Sequence, residues 1–167
     1  MSNLPQTMRD INIFIDGIGH LGTSEEFELP KINQKKFSQE FGGFEREVLT
    51  GSFEKMEANV TLNEYSAAVF TAMALGNVTG LGVNLTVKGS IFQDGKSKQA
   101  LATIQGNIDI DDGSWKANEQ VKRKLKISVN MYAMEIDGKQ ACLFDVNHMI
   151  AIIDGVDFLA TLRSHIQ

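Results

Sequence analysis

One cysteine, two prolines and three histidines in 167 residues leave little with which to staple, break or catalyse. Cys142 cannot form an internal disulfide, and its setting in Ala141-Cys142-Leu143-Phe144 reads as a small buried hydrophobe rather than a nucleophile. His20, His148 and His165 stand far apart in unrelated contexts, so no local motif supports catalysis and no catalytic residue is assigned. Positive charge is scarce as well: 16 Lys and Arg against 21 Asp and Glu give a net charge of −5, which argues against a protein built to hold nucleic acid tightly. No apolar run approaches a bilayer span, the stretch Met149–Ile153 being far too short, and no membrane anchor is expected. The opening MSNLPQTMRD lacks the charged start and apolar middle of a secretion signal, which predicts a protein made and kept in a reducing cytoplasm. What remains is an ordinary globular composition, 43% hydrophobic and 22% charged, at a length that suits one domain spanning 1–167.

Gly17, Gly19 and Gly22 have the G-x-G-x-x-G spacing that cradles a pyrophosphate when a strand enters and a helix leaves. A strand does enter, since Ile11, Ile13 and Ile15 alternate with Asn12, Phe14 and Asp16. No helix leaves: Phe27 and Leu29 alternate with acids and Pro30 follows, the pattern of a second strand. The tripeptide Ile-Asp-Gly recurs at Ile136–Gly138 and Ile153–Gly155, and Asp-Gly favours tight hairpin turns because both residues tolerate positive φ. The glycines are therefore read as a hairpin, and no cofactor is expected.

Further alternation defines the fold class. Met56, Ala58, Val60 and Leu62 oppose Lys55, Glu57, Asn59, Thr61 and Asn63. Later runs place Asn84, Thr86, Lys88 and Ser90, then Thr103, Gln105, Asn107, Asp109 and Asp111, then Lys124, Lys126, Ser128, Asn130 and Tyr132 on wet faces. Val87, Ile104, Ile108, Leu125, Ile127 and Val129 form the dry face. Between these runs, Asn63 is expected to cap a helix over Glu64–Leu75, with Gly76 ending it. Many alternating strands and one helix predict a mainly β, α+β fold: an antiparallel β-sandwich or barrel with one flanking helix.

Two charged clusters and one irregular stretch remain. Asp109, Asp111 and Asp112 before Gly113 hint at a calcium loop, but the glycine comes one place early and no closing glutamate follows, so an acid-rich turn is preferred and no metal is assigned. In Lys122–Lys126, alternation separates Arg123 from Lys122, Lys124 and Lys126, and without interleaved aromatics a solvated strand face is preferred over a nucleic-acid contact. From Lys31 to Gly51 the chain is polar and irregular, with Phe37, Phe41 and Phe44 around Gly42 and Gly43. Such a segment either packs on another molecule or folds as a long hairpin over its own domain.

In order along the chain, NIFIDG at Asn12–Gly17 with Gly22, LPK at Leu29–Lys31, Gly42-Gly43, MEA at Met56–Ala58, KGS at Lys88–Ser90 and DDGSWKANE at Asp111–Glu119 form a recognisable series. It continues with IDGK at Ile136–Lys139, FDVN at Phe144–Asn147 and DGVDFL at Asp154–Leu159 followed by Arg163. Together these resemble the major tail tube proteins of contractile-tailed bacteriophages and the related tube proteins of R-type pyocins. Phe44 replaces a methionine frequent in that family, and Gln105 an arginine. The resemblance implies a structural virion protein without cofactor, assembled in the host cytoplasm as hexameric rings that stack into the inner tube of a phage tail. A sheath would surround that tube, a baseplate and a terminator would bound it, and DNA would pass through it; the alternative is a tailocin tube that delivers no DNA. It also implies that the stretch at about 31–55 is an inter-ring arm acting through Phe37, Phe41, Gly42, Gly43 and Phe44. The lumen would be lined from among Lys55, Glu57, Asn59, Thr61, Asn84, Thr86, Thr103, Gln105, Asn107 and Asp109.

Overall fold

The computed structural model describes residues 4–20 and 22–167. Met1–Asn3, read above as part of a leaderless start, and Leu21, inside the Ile13–Gly22 stretch, lie outside the described residues. The elements run β1 (Thr7–Ile15), β2 (Ile18–Gly19), β3 (Ser24–Glu28), β4 (Gln34–Phe41), β5 (Phe44–Phe53), β6 (Glu57–Leu62), α1 (Ala67–Thr79) and β7 (Val83–Gln93). They continue with β8 (Lys96–Asp111), β9 (Arg123–Ile136), β10 (Lys139–Asp145), β11 (Ile150–Ile153), β12 (Val156–Asp157) and α2 (Ala160–Ile166). The main sheet is antiparallel in the order β12-β11-β10-β9-β8-β7-β1-β2, while β4 and β5 form a sheet of their own.

Strand β9 forks. Its first half, Arg123–Ser128, pairs with β6, which in turn pairs with β3; its second half, Met131–Ile136, pairs with β10. The fork lies at a bulge, where Gln105 faces Met131 and Gly106 faces Val129, leaving Asn130 as the extra residue. One extra residue inverts the phase of everything beyond it. Tyr132, expected on the wet face, is therefore only 2% exposed and packs in the core beside Phe144. The sheet curls but does not close: β1 and β3 approach each other without sharing a ladder.

The dry face assembles as alternation predicts, with Ile13, Leu85, Ile104, Ile108, Leu125 and Ile127 fully buried, each burial contributing roughly 1.5–3 kcal/mol before entropy is counted. Cys142 is buried among them. The three expected Asp-Gly hairpin turns are present, and Asp94-Gly95 supplies a fourth; all four aspartates have positive φ. Gly17 thus turns β1 into β2, and β3 rather than a helix follows, which removes the phosphate-loop reading.

Helix α1 is displaced from its expected limits. Ser66, not Asn63, caps it, its hydroxyl accepting from the Ala68 N–H, and Gly80 in the left-handed region ends it. Gly76 is buried inside the helix, where a Cβ would stand 2.6 Å from Val83 Cγ2 and 2.9 Å from the Gly82 carbonyl. Gly82 in turn lies against the backbone of Gly106, so hydrogen side chains bring helix and sheet into contact. The Asn77 side chain completes the contact: Nδ2 donates to the Ile108 carbonyl (3.1 Å) and Oδ1 accepts from the Ile108 N–H (3.4 Å). It serves the edge of β8 beyond its pairing with β7, as a strand would.

A second helix, α2, was not expected. Seven residues without a buried side chain give no amphipathic signal. Arg163 holds it, donating through Nη1 to the Met149 carbonyl and through Nη2 to Asp157 Oδ2, both at 2.8 Å. Those guanidinium bonds keep the Asp157 carboxyl below the ordinary carboxylate range.

Candidate assembly surfaces

The ten residues expected to line a lumen all lie on the outer surface of the curved sheet. Asp109, Lys126, Asn59 and Glu28 form one row across β8, β9, β6 and β3; Asp111, Lys124, Thr61 and Glu26 form the next; Asn107, Ser128 and Glu57 form a third. Lys55 joins the third row through its bond to Glu57 (3.2 Å), which holds the Glu57 carboxyl below its ordinary range, with Lys126 adding to the effect. Asn84 and Gln105 are neighbours further along the same surface, as are Thr86 and Thr103. Gln105 is tied down by its amide, which donates to the Leu81 carbonyl at 2.7 Å. Lys55, Asn59, Asn84, Asn107 and Asp109 are exposed, and the other five are half-buried.

Across this face every lysine has an acid or amide in register beside it. Lys126 lies between Asp109 and Asn59 and bonds Glu57 at 3.5 Å; Lys124 lies between Asp111 and Thr61. The face is wet and acid-rich, without a group of cations standing apart from carboxylates. Arg123, the remaining member of the basic run, turns inward and is 2% exposed. Its Nε and Nη2 bond Asp112 (2.6 and 3.3 Å), its Nη1 bonds the Ser66 carbonyl (2.7 Å), and its plane lies over the Tyr65 and Phe70 rings. This also accounts for Asp112 of the acid-rich turn, while Asp111 Oδ1 accepts from the Gly113 N–H. Alternation revealed the inward parity of Arg123; its distant partners had no local signal.

A second buried anchor was missed. His20 is 3% exposed, and its Nδ1 pairs with Glu64, placed just after β6 and outside the helix expected to contain it. The His20 carbonyl accepts from the Thr23 and Ser24 hydroxyls and from both of their N–H groups, fixing the connection from β2 to β3.

The stretch read as irregular is a hairpin, with one register shift between Gln34 and Lys36 near its base. β4 and β5 pair from Phe41–Phe44 at the tip to Gln34–Phe53 at the base, and Gly42 and Gly43 form the turn, both at positive φ. Phe37, Phe41 and Phe44 are exposed, the last two by 70% and 80%. At the base, Phe53 packs edge-on to Phe144 and stacks on Phe158. The edge of β1 over Thr7–Ile13, away from β7, has no strand paired to it among the described residues. An open edge and a hairpin that stands off the body with exposed phenylalanines are surfaces that a solitary domain would leave unsatisfied.

The family model described as phage tail tube protein FII matches residues 5–166. A tail tube protein of Escherichia phage P2 is 24% identical over 173 residues, covering 98% of each chain. A chain from the cryo-EM structure of the anti-feeding prophage baseplate aligns with 75% of this chain and 90% of its own at 10% identity, with a TM-score of 0.39.

Proposed function

From the premise that this chain belongs to the phage tail tube protein FII family, we propose that it forms hexameric rings which stack into the hollow inner tube of a contractile phage tail and conduct DNA. The family is structural, and the protein is accordingly a tail component rather than an enzyme. The observation that carries the assembly reading is the pair of unsatisfied surfaces on one subunit, the unpaired β1 edge and the exposed phenylalanines of the hairpin. In a head-to-tail ring the β1 edge gains a neighbour, and closure limits the ring. Along the axis the same head-to-tail logic does not close, and the hairpin places Phe37, Phe41 and Phe44 on the next ring.

The ten outer-face residues are proposed to supply the lumen wall. A phosphate backbone binds by displacing counterions with free cations. Here Lys124 and Lys126 already face acids in register, so the wall offers DNA little to adhere to. The outside of the tube would meet a sheath, and its ends a baseplate and a terminator, with assembly in the host cytoplasm. Negative-stain and cryo-electron microscopy of concentrated protein test the proposal. Hollow stacked rings with the Asp109–Lys126–Asn59 row facing the channel are expected; strictly monomeric protein refutes the tube, and that row packed against protein refutes the wall.

A further inference from the structure

Helix α1 buries Val69, Ala72 and Gly76 against the sheet. Its opposite side carries Phe70, Ala74, Leu75 and Val78, in a second apolar stripe at helical spacing that faces solvent. Between Glu64 and Lys88 there is no charged residue; at the chain's 22% charge content such a run would ordinarily hold about five. Helices that are apolar on every side belong in an interior. Phe70, Leu75 and Val78 are 49%, 63% and 86% exposed, and beyond the half-buried Tyr65 stands Trp115, 81% exposed, whose indole donates to the Tyr65 hydroxyl at 3.1 Å. With Leu81 the exposed apolar area is on the order of 600 Å². That is at the upper limit for a soluble monomer and approaches the roughly 800 Å² per partner of a stable protein interface.

We propose that this stripe, from Trp115 to Val78, is a contact surface for a second copy of this chain within the tube. The inference rests on the tube reading and deepens it by naming a surface distinct from the β1 edge and the hairpin. A copy of the same chain is the fitting occupant on two grounds. The area approaches what a stable subunit contact buries, and a second copy is the partner that every subunit of a tube already has beside it. The contact is head to tail, so the stripe meets a different patch of its neighbour.

Two measurements test it. The single tryptophan reports on the unmodified protein: on assembly Trp115 emission shifts to the blue and iodide quenching falls several-fold, and emission unchanged between free subunit and tube overturns the inference. The variant L75K/V78K alters exposed positions and retains the wild-type circular dichroism and melting temperature. It needs at least about a hundredfold more protein to form rings, because two charges would have to be desolvated. Normal rings from this variant overturn the inference while leaving the tube reading intact, including the case in which only sheath attachment is lost, since the occupant is then another protein. Wild-type protein that makes no rings overturns the tube reading itself.

Discussion

Replacing Arg123 with alanine removes a guanidinium that is almost wholly enclosed and has three distinct duties. It neutralises Asp112 through two bonds, satisfies the carbonyl of the helix-capping residue Ser66, and fills the space between the Tyr65 and Phe70 rings. Breaking a buried ion pair costs about 3–5 kcal/mol when the remaining charge is stranded. The Asp112 side chain is 30% exposed, so water recovers part of that loss, while removal of the arginine stem from between two rings adds about 1 kcal/mol. A net destabilisation of about 3 kcal/mol follows, equivalent to a melting temperature lower by about 6–12 °C for a chain of this size. Urea unfolding should show a lower midpoint with unchanged slope, because the change acts on the native state. Pairing R123A with D112A in a double-mutant cycle isolates the bond, with a coupling of about 1.5–3 kcal/mol expected. A loss below about 1 kcal/mol for R123A, or additive single variants, would show that the Arg123–Asp112 pair carries no stability and refute the reasoning.

Gly106→Ala forces a methyl group into the Ser128 carbonyl at the bulge; since backbone must move on both sides, a loss of more than about 2 kcal/mol is expected, and a soluble variant melting within 2–3 °C of wild type, roughly the shift of a 1 kcal/mol change, contradicts it. Tyr132 has its pKa raised, first by burial and then by Cys142. With the folded value above the unfolded one, its contribution is intact below about pH 10 and declines as pH rises beyond, so ultraviolet titration should show Tyr132 ionising together with alkaline unfolding, and Tyr132→Phe should move that transition to higher pH. Phe41→Ser with Phe44→Ser touches exposed side chains, so the subunit should melt within the equivalent of about 0.5 kcal/mol of wild type while tubes are replaced by single rings in micrographs; long tubes from this variant would show that the hairpin tip does not join rings.

Most of the main sheet was legible because one of its faces is buried within the subunit, which imposes period-two alternation and fixes the turns between strands. The limits of that legibility follow from the same cause. The β4–β5 hairpin has neither face buried in the subunit, so nothing constrains its pattern, and it reads as irregular although its strands pair in continuous register from Lys36–Leu49 to the tip. Tyr132 was assigned to the wrong face because a bulge inverts phase without any residue to announce it. The helix limits shifted because Glu64 and Tyr65, good first-turn residues by propensity, are held instead by His20 and by the Asp112 carbonyl. At the candidate surfaces, alternation made the wet parity of the ten residues and the inward parity of Arg123 legible, whereas the stripe on α1 and the partners of Arg123 depend on tertiary neighbours.

The hairpin also bears on how a polymer of this chain would start. Two strands alone are marginal in water, and this pair is anchored at its base, where the Glu54 N–H bonds the Asn33 carbonyl and Phe53 joins the core. If rings stack through it, the earliest contact must order such a hairpin against nothing already built, whereas each later arrival meets a preformed template. Initiation is then slow and elongation fast, so a concentrated pool of subunits can wait in solution until a seed is supplied, and the number of seeds, more than the amount of protein, decides how many filaments appear.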